Sequence, residues 1–383
     1  MNSKERIFAA LEHKYTDKVP VHHLGMASKI ASEITGKEIF IGGGLQQFRE
    51  AQARFEGEDA HRKFMEKSFL DAMEVARVFD MDLVRVTGWR ELKKPSKKID
   101  DLTFRYDEPD GSYVVKSCSP EQELYQTVQT SSGGPEKDLA YLEKFVEEME
   151  LNYEKKVWNL DEFQIYKQAD DYFKGERAVY GAGAGLHILY EPPVWFEATL
   201  LRPQIVERFL DLQVKTAVKQ FELYSKLGIK ILLGGGNCAS TQAPFFSPDT
   251  VRALLLPRIK KIVSYSQKIG SYFIYGSAGN LWPIADILFK EGGIRGLYEV
   301  DRIAGMDLKL LREKYPMLTL QGNISSITLH QGSKEDVYKE TMDNLKTAKK
   351  LGSIIVGVSN AIVPETPVEN VEMMLETIRK HNI

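Results

Sequence analysis

Side chains that can move protons or hold a polar ligand follow several short, β-rich runs of the sequence. His, Tyr, Glu and Asp can act as general acids or bases, whereas Arg, Asn and neutral His can hold an anionic or polar group. We therefore interpret five residues as candidate catalytic groups: His22, His23, Tyr275, Glu299 and Asp301. Seven more are candidate substrate-binding residues: Arg85, His187, Asn237, Cys238, Asn280, Asn323 and Asn360.

Several of these residues also have an ordinary structural interpretation, which the sequence leaves open. Alternation along a strand sends only one of His22 and His23 inward. Asn237 and Asn323 follow glycines and can support turns that need a positive φ. Cys238 can be a small buried residue rather than a reactive thiol.

The same alternatives apply to the residues near the ends of later strands. Tyr275 can be a core aromatic with its hydroxyl at the rim of the site. Glu299 and Asp301 share a parity, so we expect both to point the same way, and one of them can simply pair with a neighbouring cation. His187 can pack beneath the rim instead of facing a ligand.

The elements that would position these residues alternate between short β-rich runs and longer helical patterns. The strand candidates are 19–23, 81–86, 178–181, 229–233, 272–275, 296–300, 318–321 and 353–358. This order predicts an α/β protein with a closed (β/α)8 TIM barrel, and an open doubly wound sheet is the competing interpretation. The C-terminal ends of barrel strands meet at one mouth, where we expect the candidate residues to gather.

Two segments depart from this alternation. The N-terminal region after the first strand is helical, with breaks, up to about residue 79 and predicts a helical extension. Residues 91–132 hold β-type stretches around Asp110-Gly111, which is a strong signal for an inserted β-hairpin. No linker-like composition shift divides the chain, so we expect residues 1–383 to form a single domain.

Composition excludes several classes of function. The chain has 383 residues, of which 43% are hydrophobic and 27% charged, and its net charge of −3 does not favour nucleic acid or an anionic membrane as a partner. No apolar run approaches the roughly 18–20 residues of a membrane span, and the N-terminus does not resemble a secretory signal. Two cysteines without a C-x-x-C argue against a disulfide framework. We expect a cytoplasmic protein, with a homodimer possible.

A series of landmarks resembles, in order along the chain, those of the uroporphyrinogen decarboxylase superfamily. The landmarks are Lys4-Glu5-Arg6 with Ala9-Ala10-Leu11, Asp17-Lys18-Val19-Pro20-Val21, Phe246-Ser247-Pro248, Gln321-Gly322-Asn323-Ile324 and Pro364-Glu365-Thr366-Pro367-Val368-Glu369-Asn370. The resemblance implies a (β/α)8 barrel, in agreement with the element order. The superfamily includes decarboxylases and also methyltransferases that exchange methyl groups with corrinoid proteins or thiols.

Two departures from the superfamily pattern favour one of its branches. Decarboxylase members carry arginines just after the first strand, where this chain has Leu24-Gly25-Met26-Ala27-Ser28. Thiol-activating members bear a His-x-Cys…Cys set of zinc ligands, and the resemblance aligns these with Gly276, Ala278 and Asn360. Glycine and alanine cannot bind zinc, so we expect no zinc bound at these positions. A different set of metal ligands, made of His, Glu and Asp side chains, stays open.

The resemblance therefore implies a corrinoid-dependent methyltransferase. Our hypothesis is an O-demethylase that moves a methyl group from a methoxylated aromatic compound to the cobalamin of a partner corrinoid protein. Tyr275, one of the two histidines, and Glu299 or Asp301 would assist the departing oxygen, and Arg85 would stabilise a phenolate or a ring carboxylate. Candidates for an apolar pocket around the ring are Trp89, Trp195, Phe245 and Phe246.

Three other functions stay open at this point. The first is methyl transfer from a methylamine or another small donor, for which a quaternary amine would favour an aromatic box over an acid. The second is a decarboxylase-like reaction. The third is a binding barrel without catalysis, against which the polar strand ends argue.

Overall fold

The computed structural model describes residues 1–86, 90–131 and 137–382. The strands are β1 (Gly25–Met26), β2 (Leu83–Val84), β3 (Lys97–Lys98), β4 (Thr103–Asp107), β5 (Tyr113–Ser119), β6 (Leu124–Thr130), β7 (Ala178–Gly185), β8 (Ile231–Gly235), β9 (Tyr272–Gly276), β10 (Gly296–Tyr298), β11 (Thr319–Gln321), β12 (Ile354–Ile355) and β13 (Ala361–Ile362).

The α-helices are α1 (Ser3–Leu11), α2 (Ser28–Thr35), α3 (Gly43–Glu56), α4 (Glu58–Val78), α5 (Leu139–Lys155), α6 (Gln164–Tyr172), α7 (Val194–Leu201), α8 (Pro203–Lys226), α9 (Pro248–Thr250), α10 (Leu256–Lys268), α11 (Leu308–Lys314), α12 (Ser326–Gln331), α13 (Lys334–Leu351) and α14 (Val368–His381). Short 3-10 turns lie at Leu160–Phe163 and Trp282–Ile284, and π-helical turns at Val251–Leu255 and Asp286–Glu291. Within the described ranges, none of the helices combines the length and the apolar character needed to cross a bilayer.

The parallel strands close into a barrel. β2 and β7 to β12 form one sheet in the order β12-β11-β10-β9-β8-β7-β2. Residues 19–23 fill the gap between its two edges: Val21 forms a parallel bridge with Val356, and the Val21 carbonyl accepts a hydrogen bond of 2.8 Å from the Asp82 amide. The predicted (β/α)8 TIM barrel is therefore confirmed, with the first strand reduced to a short bridging segment.

Helix α1 closes the N-terminal end of the barrel. Its Ile7 and Leu11 belong to the same buried cluster as Leu83 and Ile231 from the barrel interior. The buried Arg6 of α1 pairs with Asp82, whose other carboxylate oxygen accepts the Val21 amide at 2.8 Å. This arrangement fixes the first strand against the second and leaves the C-terminal end as the side on which a ligand can enter.

Side chains alternate between the barrel interior and the surrounding helices, as a parallel barrel requires. Tyr180, Leu233 and Ile274 lie in the interior cluster. Their neighbours Leu232 and Phe273 pack into the core between strands and helices. The alternation decides which candidate residues reach the mouth.

The insertion after the second barrel strand holds more than a hairpin. β3, β4, β5 and β6 form a four-stranded antiparallel sheet. It packs on α3, where the Phe48 ring lies 5.9 Å from that of Phe104 and 5.6 Å from that of Tyr125. The fully buried Glu50 of α3 binds Arg90 at 2.6 Å, which ties the helix to the chain that enters the insertion.

Candidate functional site

The C-terminal ends of the barrel strands surround a cavity of about 470 Å³. Five of the sequence-predicted site residues line this mouth cavity: Arg85, His187, Asn237, Glu299 and Asn360. They come from the ends of the second, third, fourth, sixth and eighth barrel strands. The structure thus gathers these polar groups around one space, as the barrel architecture predicts.

Two tyrosines that the sequence analysis did not select also line the mouth cavity. Tyr180 on β7 and Tyr298 on β10 face the interior of the barrel. Burial raises the pKa of both phenols well above the ordinary value, so both keep their protons at neutral pH. They therefore offer neutral hydroxyl donors and flat apolar faces to a ligand. Strand alternation is the sequence signal that could have identified them.

Tyr275 and Cys238 point away from the cavity. The Tyr275 side chain is fully buried in the core between strands and helices, and its hydroxyl donates to the Leu186 carbonyl at 3.0 Å. The same hydroxyl lies 3.0 Å from the Cys238 sulfur, and burial raises the pKa of this thiol to about 11. The structure does not bring either residue to the mouth: the odd positions of β9, which include Tyr275, face the helices, and Cys238 packs beside Tyr275 in the same core.

Three other candidates hold loops in place. Asp301 accepts the amides of Ile303 at 3.0 Å and Ala304 at 3.2 Å, which caps a turn. The Asn280 side chain donates to the Gln242 carbonyl at 3.0 Å. Asn323 is buried, and its side chain donates to the Met306 carbonyl at 3.0 Å. These contacts assign the three side chains to loop structure rather than to the cavity.

The two adjacent histidines face opposite sides of the first strand. His22 is fully buried beside the edge of the Tyr180 ring, and its Nδ1 lies 2.6 Å from the Leu83 carbonyl. His23 packs against Phe79 on the helix side. Burial lowers the pKa to about 3 for His22 and to about 4 for His23, so both rings are neutral at physiological pH.

The aromatic candidates for a ring pocket do not line the mouth cavity in the described part of the chain. Trp195 is buried in the core, with its ring 4.7 Å from that of Phe209. Phe245 stacks on Tyr190, and Phe246 stacks on Phe196. Trp89 lies outside the described residues.

Glu299 has the electrostatic properties of an acid that works near neutral pH. Burial raises its pKa to about 7, against the opposing effect of the nearby Arg85 cation. Its backbone has φ of 64°, a left-handed conformation that is costly for a residue with a side chain. This turn lets the consecutive side chains of Tyr298 and Glu299 both reach the mouth cavity. It also explains why Glu299 and Asp301 do not point the same way, contrary to the expectation from parity.

The raised pKa of Glu299 predicts a pH-dependent effect on stability. Because the folded-state pKa lies above the unfolded value, the stability contributed by the protonated carboxyl is fully present below about pH 4.5 and is lost as pH rises through about 7. We expect Glu299→Gln to raise the free energy of unfolding by about 1–2 kcal/mol at pH 8 and to leave it unchanged at pH 4.5. Urea denaturation at the two pH values measures this, and an equal effect at both would contradict it.

A tyrosine ring fills the space in front of Gly276, one of the three positions that the sequence resemblance aligns with zinc ligands. A Cβ atom on Gly276 would lie 2.0 Å from Cζ and 2.4 Å from the hydroxyl oxygen of Tyr298. A side chain at 276 and the present Tyr298 ring therefore exclude each other. Across residues 1–86, 90–131 and 137–382, no three His, Cys, Asp or Glu side chains come close enough together to hold a metal ion.

Comparisons with known proteins identify a matching family and solved structures of similar fold. The family model described as uroporphyrinogen decarboxylase (URO-D) matches residues 190–381. A methyltransferase from Methanosarcina mazei aligns over 99% of both chains with a TM-score of 0.64 and 18% identity. This likeness is one of fold. None of the curated proteins matches the chain.

Two further solved structures are much more distant. A sugar phosphate isomerase/epimerase from Parabacteroides distasonis is 13% identical over 59% of this chain and 77% of its own, with a TM-score of 0.35. A probable 3-DHS dehydratase from Bacillus anthracis is 11% identical over 65% of this chain and 96% of its own, with a TM-score of 0.37.

The family match covers half of the chain and includes the landmarks at 246–248, 321–324 and 364–370. The resemblance inferred from those landmarks is confirmed at the level of the family. The chain belongs to the uroporphyrinogen decarboxylase (URO-D) family.

Proposed function

We propose that this protein is a methyltransferase that removes the methyl group of a methoxylated aromatic compound and passes it to the corrinoid of a partner protein. The observation that carries the proposal is Glu299, a carboxyl with a pKa of about 7 at a cavity of about 470 Å³ in the barrel mouth. The family, the sequence resemblance to its corrinoid-dependent branch and the fold shared with a methyltransferase support it.

O-demethylation requires a proton at the departing oxygen. The bond between the methyl carbon and oxygen breaks, its electron pair stays on the oxygen, and the oxygen takes up a proton to give a phenol. A reduced corrinoid supplies the cobalt(I) that accepts the methyl group. Phenols have a pKa of about 10, so a carboxyl with a pKa of about 7 can deliver this proton and is still partly protonated at neutral pH.

The remaining cavity residues position the donor. Arg85 lies on the wall beside Glu299, where its charge would stabilise a developing phenolate or a carboxylate on the ring. The rings of Tyr180 and Tyr298 provide apolar surface for an aromatic compound. A partner protein would approach from the C-terminal end of the barrel, because α1 closes the other end.

The same residues disfavour the alternative substrates. Arg85 would repel a methylammonium or quaternary ammonium donor, for which a box of aromatic rings would be favourable. Arg85 is also the single arginine of the mouth cavity among the described residues. Its one positive charge would neutralise only one carboxylate of a substrate that carries many.

A methyl-transfer assay with a donor panel tests the proposal. We expect loss of the cobalt(I) absorption when the protein and reduced cobalamin are mixed with methoxybenzenes, and no loss above background with methylamines. Heat-inactivated protein provides the control. Transfer from methylamines alone would select the amine-donor function, and transfer from no donor, with a corrinoid protein also supplied, would favour a binding barrel.

A further inference from the structure

A second, smaller cavity lies behind the mouth cavity, between the first barrel strand and helices α3 and α4. We call it the side chamber. Its volume is about 60 Å³, and its apolar wall includes Met26, Ile41, Ala72, Val75 and Met81. Leu24 and Arg85 line both the side chamber and the mouth cavity, so the two spaces are neighbours.

His23 gives the side chamber an unpaired polar atom. The His23 side chain is 1% exposed, and its Nδ1 accepts the Val358 amide at 3.4 Å. The ring proton of the neutral imidazole therefore sits on Nε2. Nε2 has no hydrogen-bond partner among the described residues. A buried N–H without a partner is costly, which points to an occupant with an acceptor atom.

Two other polar side chains of the side chamber bind each other, and Arg85 lies at the boundary with the mouth cavity, where its Nη1 donates to the Leu24 carbonyl at 2.8 Å. Gln46 of α3 and Ser68 of α4 are both buried, and the Gln46 amide nitrogen donates to the Ser68 hydroxyl at 2.7 Å. Met26, Ile41 and Val75 offer no polar atom. An occupant of this space therefore meets a mainly apolar wall, the Nε2 proton of His23 and, at the boundary with the mouth cavity, Arg85.

We propose that the side chamber is a substrate subsite for a small, uncharged substituent that carries an acceptor oxygen, such as a second methoxy or a formyl group next to the reacting methoxy group. This proposal rests on the function proposed above. One water needs about 10–15 Å³, and a benzene ring fills a cavity of about 150 Å³. A volume of about 60 Å³ therefore suits a substituent of two or three heavy atoms but not the ring.

The neutral state of His23 decides which groups its ring can bind. A ring with a pKa of about 4 does not become a cation near neutral pH, so His23 gives an anion no ionic partner. Arg85, the one cation of the lining among the described residues, lies at the boundary with the mouth cavity. The wall of methionine, isoleucine and valine side chains would also leave a carboxylate poorly solvated. An ether or carbonyl oxygen, in contrast, accepts the Nε2 proton without an uncompensated charge.

Binding measurements without corrinoid test the subsite. Titration calorimetry would compare 1,2-dimethoxybenzene with 1-ethyl-2-methoxybenzene, which has nearly the same shape but lacks the acceptor oxygen. We expect the natural protein to bind the dimethoxy compound about ten-fold more tightly. His23→Phe should remove this preference. Equal affinity for the two compounds in the natural protein, or tighter binding of 2-methoxybenzoate that depends on His23, would overturn the proposal.

A second variant tests the space itself and does not rely on the folding of a His23 variant. Ala72→Leu on α4 fills the side chamber and should weaken 1,2-dimethoxybenzene binding about ten-fold while methoxybenzene binding stays the same. Ala60→Leu on the same helix, outside the side chamber, is the matched control. An unchanged affinity for the dimethoxy compound in Ala72→Leu would contradict the subsite.

The proposed function is assayed separately with methoxybenzene and reduced cobalamin. If the protein binds 1,2-dimethoxybenzene more tightly than 1-ethyl-2-methoxybenzene but transfers no methyl group, the result supports the subsite and rejects the proposed function. Methyl transfer without discrimination between the two compounds would reject the subsite alone.

Discussion

Replacement of Glu299 by Gln is expected to lower the rate of methyl transfer from a methoxylated aromatic about 100- to 1000-fold at pH 6.5. Glutamine keeps the size of the side chain and its hydrogen-bonding oxygen, but it has no proton to give to the departing phenolate. In the natural protein we also expect the rate to fall as pH rises through about 7, because the protonated fraction of Glu299 falls. At pH 8 the rate should be about a tenth of its low-pH value.

Rapid-mixing measurements of the cobalt(I) absorption from pH 5.5 to 9 would record both effects. The Glu299→Gln variant should lose the fall centred near pH 7 as well as most of the rate. Asp301→Asn is a matched control, since Asp301 is a nearby carboxylate that caps the turn at Ile303 and Ala304. This control should keep the fall near pH 7, and a profile that depends on Asp301 instead would contradict the role of Glu299.

The sequence predicted the barrel because the barrel depends on features that extend over many residues. Repeated β-rich runs separated by helical patterns define the strand order, and the ends of parallel strands must then meet at one mouth. Arg85, His187, Asn237, Glu299 and Asn360 were placed at that mouth on this argument alone. The insertion was harder to predict, because the pairing of β3 with β4 and of β5 with β6 depends on packing against α3.

The orientation of single side chains was harder to predict from the sequence because it depends on local backbone geometry. Tyr275 is the last residue of the predicted strand 272–275, but the alternation of β9 turns it toward the helices and turns Gly276 toward the interior. The candidate residues predicted from the sequence do not include Tyr298, although it faces the mouth cavity. The left-handed backbone of Glu299 brings a second consecutive side chain to the mouth cavity. A glutamate rarely adopts a positive φ, so this conformation could not be predicted from the residue type.

Gly276→Ala is expected to lower both stability and donor binding strongly, because the new side chain displaces the ring of Tyr298. A Cβ atom at position 276 would lie 2.0 Å from Cζ of this partly buried ring, so the ring must leave its place in the cavity wall. We expect the variant to lose about 3 kcal/mol of unfolding free energy and most of its donor binding. Gly185→Ala is the matched control on β7, because its Cβ would meet nothing closer than the Gly235 carbonyl oxygen at 3.9 Å. Thermal unfolding and donor titration would compare the two variants.

A double-mutant cycle shows whether the cost arises from this contact. Tyr298→Ala removes the ring. In that background, the loss of unfolding free energy caused by Gly276→Ala should therefore be smaller by at least about 1 kcal/mol than in the natural protein. Equal losses in both backgrounds would mean that the strain lies elsewhere in β9. A coupled pair would show that position 276 requires a glycine because the tyrosine on the neighbouring strand occupies the space of a side chain there.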